Sequence, residues 1–420
     1  MKPGPRVSYG WWMILASALG LFLGPVPILV SSFGVFLKPL AAEFHSGRAA
    51  IALALTILNT GYAVGTVLAG RLADRFGARR VILPAMIATG VILLFSYLGT
   101  AALWQFYAFF LLAGLASAGA GPVLFAHVIS HWFDRRRGLA LGCMLLGMGG
   151  GATVMPTVAQ WLIAGFGWRF AYSVVGAAIL AITVPVIAVA LKEKPADIGL
   201  AADPLSEPGQ SLREALRTPT FWLLLLVVVI VSCSLHACAG HLPAMLTDRG
   251  TSAKAAALAS SLFGAGTLAG RAISGYLLDR FFAPRIGAVI FGCGAAGIAL
   301  LGLTSAPGLA YAAALLMGLG WGTEGDVKAY LVSRYFGLRF FGSIFGVIFC
   351  GFVLGVALGG YLMGVVFDTN HSYGMGIGVA FLGMLLSAML MLLLKPHRYG
   401  AKDEAETGRH LHTEPASSVS

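Results

Sequence analysis

Long apolar runs alternate with short polar turns along the chain. A transmembrane α-helix needs about 20 consecutive, mostly apolar residues, and each run is near or above that length. The pattern therefore predicts an all-α membrane protein with twelve transmembrane helices, six on each side of a longer polar interval. The runs cover about residues 10–37, 50–72, 81–99, 104–130, 138–165, 169–191, 220–248, 253–278, 285–304, 308–333, 340–366 and 374–395.

The long polar interval divides the chain into two bundles of six helices. It contains several prolines, which interrupt helices, and it predicts a connector at 192–219 between bundles at 1–191 and 220–395. Ser211 is the expected N-cap of a short surface helix within the connector. Residues 396–420 are rich in charge, serine and threonine, and predict a disordered tail.

Composition excludes a soluble globular protein. Hydrophobic residues make up 58% of the chain and charged residues 11%, whereas about a quarter of a soluble domain is charged. The five cysteines all fall within apolar runs and lack zinc-ligand spacing, so we expect free thiols. Neither a metal nor a cofactor is expected. An enzyme is not expected either, because no nucleophile and base or metal cluster appears with catalytic spacing.

The basic residues predict how the chain lies in the membrane. If the N-terminus is cytoplasmic, the loops on the outer side hold only Lys38, Arg48, Arg169, Arg249 and Lys254, and most other Lys and Arg residues lie on the inner side. This bias predicts a multi-pass protein of the cell (inner) membrane with both termini in the cytoplasm. It also accounts for the net charge of +11, so no nucleic-acid partner is predicted.

A sequence repeat relates the two halves. The segments 70–76 and 275–281 share the pattern G-x-L-x-D-R-F, and each lies at the predicted inner end of the second helix of its half. The repeat predicts two pseudo-symmetric bundles.

The first copy of the repeat resembles the loop signature of the major facilitator superfamily. The matching residues are Gly70, Leu72, Asp74, Arg75, Phe76, Gly77, Arg79 and Arg80. Segments 32–36, 132–140 and 167–169 resemble the monocarboxylate and oxalate/formate transporter branch of that superfamily. The resemblance implies the major facilitator fold, with a substrate site between the halves and transport by alternating access.

The same resemblance implies that Asp74 and Arg75 hold an inner gate shut, with Asp279 and Arg280 as their counterparts in the second half. An aspartate beside the N-terminus of a neighbouring helix would be stabilised by the helix dipole. The alternative is that these charges only set the topology.

Arg271 is a candidate substrate-binding residue, because a charge inside the membrane is costly without a function. It lies eight positions before Asp279, roughly 12 Å into the membrane at 1.5 Å per residue. In the resembled branch an arginine of the eighth helix binds the substrate carboxylate, and a guanidinium pairs with a carboxylate through two hydrogen bonds. The alternative is a structural ion pair with a neighbouring helix.

Glu324 and Asp326 are candidate proton-coupling residues. Counting back from Arg334 places them roughly 15 and 12 Å deep, near the predicted depth of Arg271. A carboxylate beside that cation could bind a proton when the pair is disrupted. The alternative is that Glu324 and Lys328, four residues apart on one helix, neutralise each other.

Further polar residues are candidates for lining a cavity between the halves. His127, eight residues before Arg135, is expected at about 12 Å depth, where it would contact the anion or a proton, or else pack through a hydrogen bond. The others would bind substrate or form hydrogen bonds between helices. They are Ser31, Asn59, Tyr62, Tyr330 and Tyr361, with His236 as an outer-gate candidate.

Some positions depart from the resembled patterns. Thr267 stands where the monocarboxylate pattern has an aspartate, and Ser31 where it has a lysine, so proton coupling would need other residues. Residues 341–366 contain no Lys or Arg, although the oxalate/formate pattern has a lysine in this helix. A single bound cation matches the charge of a monocarboxylate better than that of a dicarboxylate.

The resemblance and the buried charges together predict a monomeric secondary transporter for a small monocarboxylate, such as a lactate-like or aromatic acid. Its partners would be the carboxylate, a proton as candidate co-substrate in symport, and the lipid bilayer. The alternatives are an anion exchanger and an efflux transporter for an unrelated compound. A non-transporting receptor is disfavoured, since no soluble signalling domain is appended.

Overall fold

The computed structural model describes residues 5–97, 102–134, 136–192, 209–303 and 307–395. Within these ranges the chain is helical apart from short turns and one isolated bridge between Gly209 and Gly337. The all-α prediction is confirmed. The predicted disordered tail and most of the connector lie outside the described residues.

The N-terminal half contains six helical regions, several of them built from two pieces. A π-helical segment, Val26–Ser31, separates α1 from α2, a 3₁₀ segment at Ala118–Ala120 separates α5 from α6, and a second π-helical segment, Ile179–Thr183, separates α8 from α9. The helices are α1 (Pro5–Phe22), α2 (Phe33–Glu43), α3 (Arg48–Phe76), α4 (Ala78–Leu94), α5 (Leu103–Ser117), α6 (Pro122–Trp132), α7 (Arg137–Phe166), α8 (Trp168–Ala178) and α9 (Val184–Ala190).

A short helix in the connector is followed by the six long, unbroken helices of the C-terminal half. The short helix is α10 (Leu212–Ala215), and the long ones are α11 (Pro219–Asp248), α12 (Ala253–Leu278), α13 (Ala283–Leu303), α14 (Pro307–Phe336), α15 (Phe341–Asn370) and α16 (Gly374–Leu392). Each half therefore has six helical regions at the places of the six predicted apolar runs.

Nine helical stretches in the described part of the chain are long and apolar enough to cross a membrane. The three other regions are α4, α12 and α14. Helix α4 is 17 residues long, α12 carries Arg271, and α14 carries Glu324, Asp326 and Lys328 within its length. Their crossing of the bilayer stays a prediction, and the buried charges of α12 and α14 are described with the site below.

The short helix in the connector starts where the sequence predicts. The Ser211 hydroxyl accepts a hydrogen bond from the Glu214 N–H at 3.3 Å, and the Glu214 carboxylate accepts one from the Ser211 N–H at 2.8 Å. This reciprocal capping box satisfies two N–H groups at the helix start. The hydrogen bonds from Ser211 also lower the pKa of the Glu214 carboxyl group.

The tight turn after the first copy of the repeat depends on glycine. Gly77 is the single residue between α3 and α4, and its φ of +93° is a conformation that strongly favours glycine. The five cysteines are free thiols, as predicted.

Close packing of α12 against α14 depends on glycine. A Cβ atom at Gly322 would lie 2.0 Å from the carbonyl oxygen of Thr267 on α12. These two helices carry Arg271 and Glu324, so the contact fixes the spacing between the helices that hold the buried charges.

We expect Gly322→Ala to destabilise the folded protein by about 1–3 kcal/mol, because an added methyl group in a packed interface forces the backbones apart. The measurement is the midpoint of thermal unfolding in detergent. Gly292→Ala on α13 is the matched control, since a Cβ there meets nothing within 4 Å. Equal midpoints for the two variants would contradict the packing argument.

Candidate substrate site and gate

A cavity of about 390 Å³ lies between the two halves. The N-terminal half contributes residues of the first π-helical segment, α3, α5, α6 and α7, and the C-terminal half contributes residues of α11, α12, α14 and α15. Its lining is mostly apolar with a few polar groups, which is typical of small-molecule sites. Among the predicted site residues, the cavity brings together Ser31, Asn59, Tyr62, Arg271 and Glu324, and it adds His236 and Thr267.

Arg271 lines this cavity from α12, one turn after Thr267. Its side chain is buried, and Nη1 lies 3.4 Å from the carbonyl oxygen of Leu145 on α7, a long and weak hydrogen bond. The Nε atom donates to no other residue in the described part of the chain. The guanidinium therefore faces the cavity with donor capacity left for an anion.

Glu324 and Lys328 line the cavity from one face of α14. The Lys328 Nζ atom lies 3.5 Å from Glu324 Oε1, and both side chains are buried. The ammonium group also lies 3.5 Å from the centroid of the Phe352 ring, a cation–π contact. The two residues thus lie within ion-pair distance of each other, as their i, i+4 spacing predicts.

The pairing also corrects the expected charge of the site. The sequence predicts Lys328 only as a partner for Glu324. In the structure it also lines the cavity, as a second cation in addition to Arg271. Its position inside an apolar run was the available signal, since intramembrane lysines are rare and functional. The lining therefore holds two cations and one carboxylate, where one bound cation was expected.

Four predicted substrate-binding or proton-coupling residues lie outside the cavity lining: Asp326, Tyr330, Tyr361 and His127. Asp326, two residues from Glu324 on α14, faces a different direction, accepts a hydrogen bond from the Ser274 hydroxyl at 2.7 Å and interacts electrostatically with Arg271. The Tyr330 ring lies 5.2 Å from the Arg334 guanidinium. Tyr361 is 69% exposed on the outer surface of α15.

His127 lies beside Asp74 and not in the cavity lining. Its Nδ1 atom is 3.8 Å from Asp74 Oδ1, and its ring stacks on His131 and meets the edge of Phe341. The expected depth was counted from Arg135, but α6 already ends at Trp132. The histidine is therefore closer to the end of its helix than predicted.

The predicted gate aspartates join the two halves at one end of the helices. We call it the basic end and define it by the turns at 77, 133–134, 279–282 and 337–340. The Asp74 carboxylate accepts hydrogen bonds from the Gly342 N–H at 2.9 Å and the Ser343 N–H at 2.7 Å, in the first turn of α15. A carboxylate satisfies free N–H groups at a helix N-terminus and is stabilised by the helix dipole.

Asp279 makes the equivalent contact in the second half. Its carboxylate accepts hydrogen bonds from the Gly138 N–H at 2.7 Å and the Leu139 N–H at 2.9 Å, in the first turn of α7. One aspartate thus joins the N-terminal half to α15, and the other joins the C-terminal half to α7. The repeat in the sequence is a repeat of this contact.

Glycines of the same repeat allow the two halves to approach. A Cβ atom at Gly70 would lie 2.2 Å from the Gly342 carbonyl oxygen, and one at Gly138 would lie 2.7 Å from that of Gly275. Side chains at these positions would separate each aspartate from the helix end that it binds.

The two predicted gate arginines take no part in these helix-end contacts. Arg75 and Arg280 are exposed. Their guanidinium groups lie over the Phe76 and Tyr276 rings at 5.1 and 4.3 Å. In this state the contact between halves is made by the aspartates.

A third contact between the halves was missed by the sequence analysis. The Asp134 carboxylate, in the turn between α6 and α7, accepts a hydrogen bond from Arg334 Nη1 at 2.8 Å and lies 3.3 Å from Arg137 Nη2. Arg137 also donates to the Ser333 hydroxyl on α14 at 3.1 Å. The available signal was that Asp134 is the one acid in the basic segment 134–137.

The fold and sequence place the chain in a known family. Residues 10–350 match the family described as the Major Facilitator Superfamily, and the chain belongs to that superfamily of membrane transporters. In solved structures, the proton:xylose symporter XylE has a TM-score of 0.74 at 15% identity, covering 94% of this chain and 98% of its own. The Escherichia coli fucose:proton symporter FucP has a TM-score of 0.67 at 16% identity, covering 92% and 98%.

Two relatives by sequence are described as monocarboxylate transporters. Monocarboxylate transporter 11 of Mus musculus is 30% identical over 296 residues, which cover 67% of this chain and 63% of the relative. Monocarboxylate transporter 13 of Bos taurus is 28% identical over 283 residues, which cover 66% and 63%. The match thus spans a little under two thirds of the length of these relatives.

Proposed function

We propose that this protein is a secondary active transporter for a small monocarboxylate, working by proton-coupled symport and alternating access. The observation that carries the proposal is the buried Arg271 guanidinium, which faces a cavity between the halves with unused donor capacity. An arginine stays charged at physiological pH and matches the geometry of a carboxylate. The monocarboxylate relatives support the same substrate class.

The closed basic end supports alternating access. Asp74, Asp279 and Asp134 each bridge the halves between the cavity and the solution at this end. A substrate in the cavity would therefore reach that solution only after these contacts separate. By the positive-inside rule we assign the basic end to the cytoplasm of the cell (inner) membrane. The proposed active unit is a monomer, because each half supplies one side of the cavity.

Glu324 is the proposed proton carrier, chosen over Asp326 because it lines the cavity and contacts Lys328. A proton on Glu324 and a carboxylate beside Arg271 together add no net charge to the cavity. The loaded and empty carriers then have the same buried charge, which avoids the large cost of moving an uncompensated charge through the membrane. Protonation also releases Lys328 to contact the bound anion.

A second candidate function is anion exchange. The specific observation in its favour is the second cation, Lys328, which with Arg271 would bind two carboxylates of one substrate or hold an anion without a proton.

Replacing Glu324 by glutamine separates the two functions. In Glu324→Gln we expect uptake driven by an inward proton gradient to fall tenfold or more, because the amide cannot bind and release a proton. Counterflow of labelled carboxylate into vesicles loaded with unlabelled carboxylate should continue. The measurement is radiolabelled uptake into proteoliposomes.

Asp368→Asn is the control for that experiment, since Asp368 is an exposed acid near the end of α15 and lies outside the cavity lining. It is expected to keep gradient-driven uptake. Unchanged gradient-driven uptake in Glu324→Gln would contradict symport through Glu324, and a wild type that shows only counterflow would favour exchange.

A further inference from the structure

Six rings form an aromatic wall in the cavity lining, which we define as Tyr62, His236, Trp321, Phe345, Phe349 and Phe352. Their contacts are continuous across the two halves of the protein. The Phe349 ring centroid lies 5.9 Å from that of Tyr62 and 5.2 Å from that of Phe352. The Phe352 ring meets His236 at 5.9 Å, and His236 packs against Trp321.

The aromatic wall adjoins the charged groups of the site. Glu324 and Lys328 follow Trp321 on α14 by three and seven residues. These spacings place all three on one face of the helix, and all three line the cavity. The Lys328 ammonium lies over the Phe352 ring. A ligand bound to the charges therefore has aromatic surface directly beside it.

The cavity is large for a two- or three-carbon acid. Its volume of about 390 Å³ would hold about a dozen waters at roughly 30 Å³ each. A two- or three-carbon acid would leave most of this space to water in contact with apolar rings, which is unfavourable. An aryl body would displace that water and pack edge-to-face or offset-stacked with the wall.

From the wall, the volume and the adjoining charges, we infer that the substrate is an arylalkyl carboxylate, bound with its ring against the aromatic wall and its carboxylate on Arg271. The inference rests on the proposed function, because it assumes that Arg271 binds a carboxylate. It goes further by assigning the body of the substrate to Phe349 and its neighbours.

Equilibrium binding to the purified protein tests this inference with three probes: phenylacetate, propionate and 2-phenylethanol. We expect phenylacetate to bind at least tenfold more tightly than propionate, and the alcohol to bind at least tenfold more weakly than phenylacetate. Propionate binding as tightly as phenylacetate, with no binding of the alcohol, would overturn the aryl inference and leave the proposed function standing. Equal binding of phenylacetate and the alcohol would overturn both.

A pair of matched variants localises the ring. Phe349→Leu keeps apolar volume but removes the central ring of the wall, and we expect it to weaken phenylacetate binding at least fivefold while propionate binding changes less than twofold. Phe367→Leu is the control on the same helix, because Phe367 packs on Tyr373 outside the cavity lining. Phe345→Leu provides a second test should Phe349→Leu not fold. Unchanged phenylacetate binding in the folded wall variants would overturn the inference.

Discussion

Carboxylate uptake is expected to fall about 30-fold or more when Arg271 is replaced by alanine. Removing one partner of a buried, hydrogen-bonded charge pair typically costs 2–5 kcal/mol, and each 1.4 kcal/mol is a factor of about ten in affinity. Arg271 is 5% exposed and lines the cavity, so its contact with a bound carboxylate would be largely removed from bulk solvent. Saturable uptake of a labelled monocarboxylate into proteoliposomes is the measurement.

Two further variants make this result specific to the guanidinium. Arg271→Lys keeps the positive charge but loses the two-pronged donor geometry, so we expect an intermediate loss of at least tenfold with little change in stability. Arg285→Ala removes an exposed arginine whose contact is the Phe282 ring, and uptake should stay within twofold of the wild type. Uptake by Arg271→Ala at the wild-type rate would contradict carboxylate binding by Arg271.

Opening of the basic end is the second large expected effect. In the double variant Asp74→Asn, Asp279→Asn, each replacement removes the charge from the acceptor at a helix N-terminus and replaces one carboxylate oxygen by an N–H₂ group. Hydrogen bonds to charged groups contribute about 1.5–3 kcal/mol each. We expect the open state to become the major population, and net uptake to fall at least tenfold.

The distance between the halves at the basic end reports this opening directly. Spin labels at 80 on α4 and 285 on α13, both exposed positions in opposite halves, are introduced into a chain whose five native cysteines are replaced. The double variant should show a peak at a longer distance, which is weak or absent in the labelled chain that keeps both aspartates. Asp368→Asn, an exposed aspartate on α15, is the control and should leave the distances unchanged. A distance distribution equal in all three proteins would show that the aspartates do not hold this end closed.

The helical regions and the aspartate contacts were predictable because each has a local signature. An apolar run of spanning length leaves few alternatives to a helix in lipid, since every backbone polar group must be satisfied internally. The repeated glycine and aspartate in segments 70–76 and 275–281 mark a helix end that lies against another helix end. Arg271 was predictable because an arginine within an apolar run is costly unless it is used.

Other parts of the site depend on helix rotation and on partners distant in sequence. Tyr361 was a cavity candidate because it is a polar residue within an apolar run, but the rotation of α15 directs it outward. His127 was misplaced because a non-helical turn follows Trp132 and shortens α6. Asp134 accepts a hydrogen bond from Arg334, which lies 200 positions later in the chain, and no pattern in the sequence pairs them. The aromatic wall was missed because its rings look like ordinary packing residues until the cavity is known.

The account depends on a buried cation that binds an anion reversibly, and binding of an acid compared with its neutral amide measures this most directly. Purified wild-type protein and Arg271→Gln are titrated with phenylacetate and phenylacetamide in a calorimeter. We expect the wild type to bind the acid at least tenfold more tightly than the amide, and Arg271→Gln to lose this preference. Equal binding of acid and amide by the wild type, or an unchanged preference in Arg271→Gln, would contradict the account.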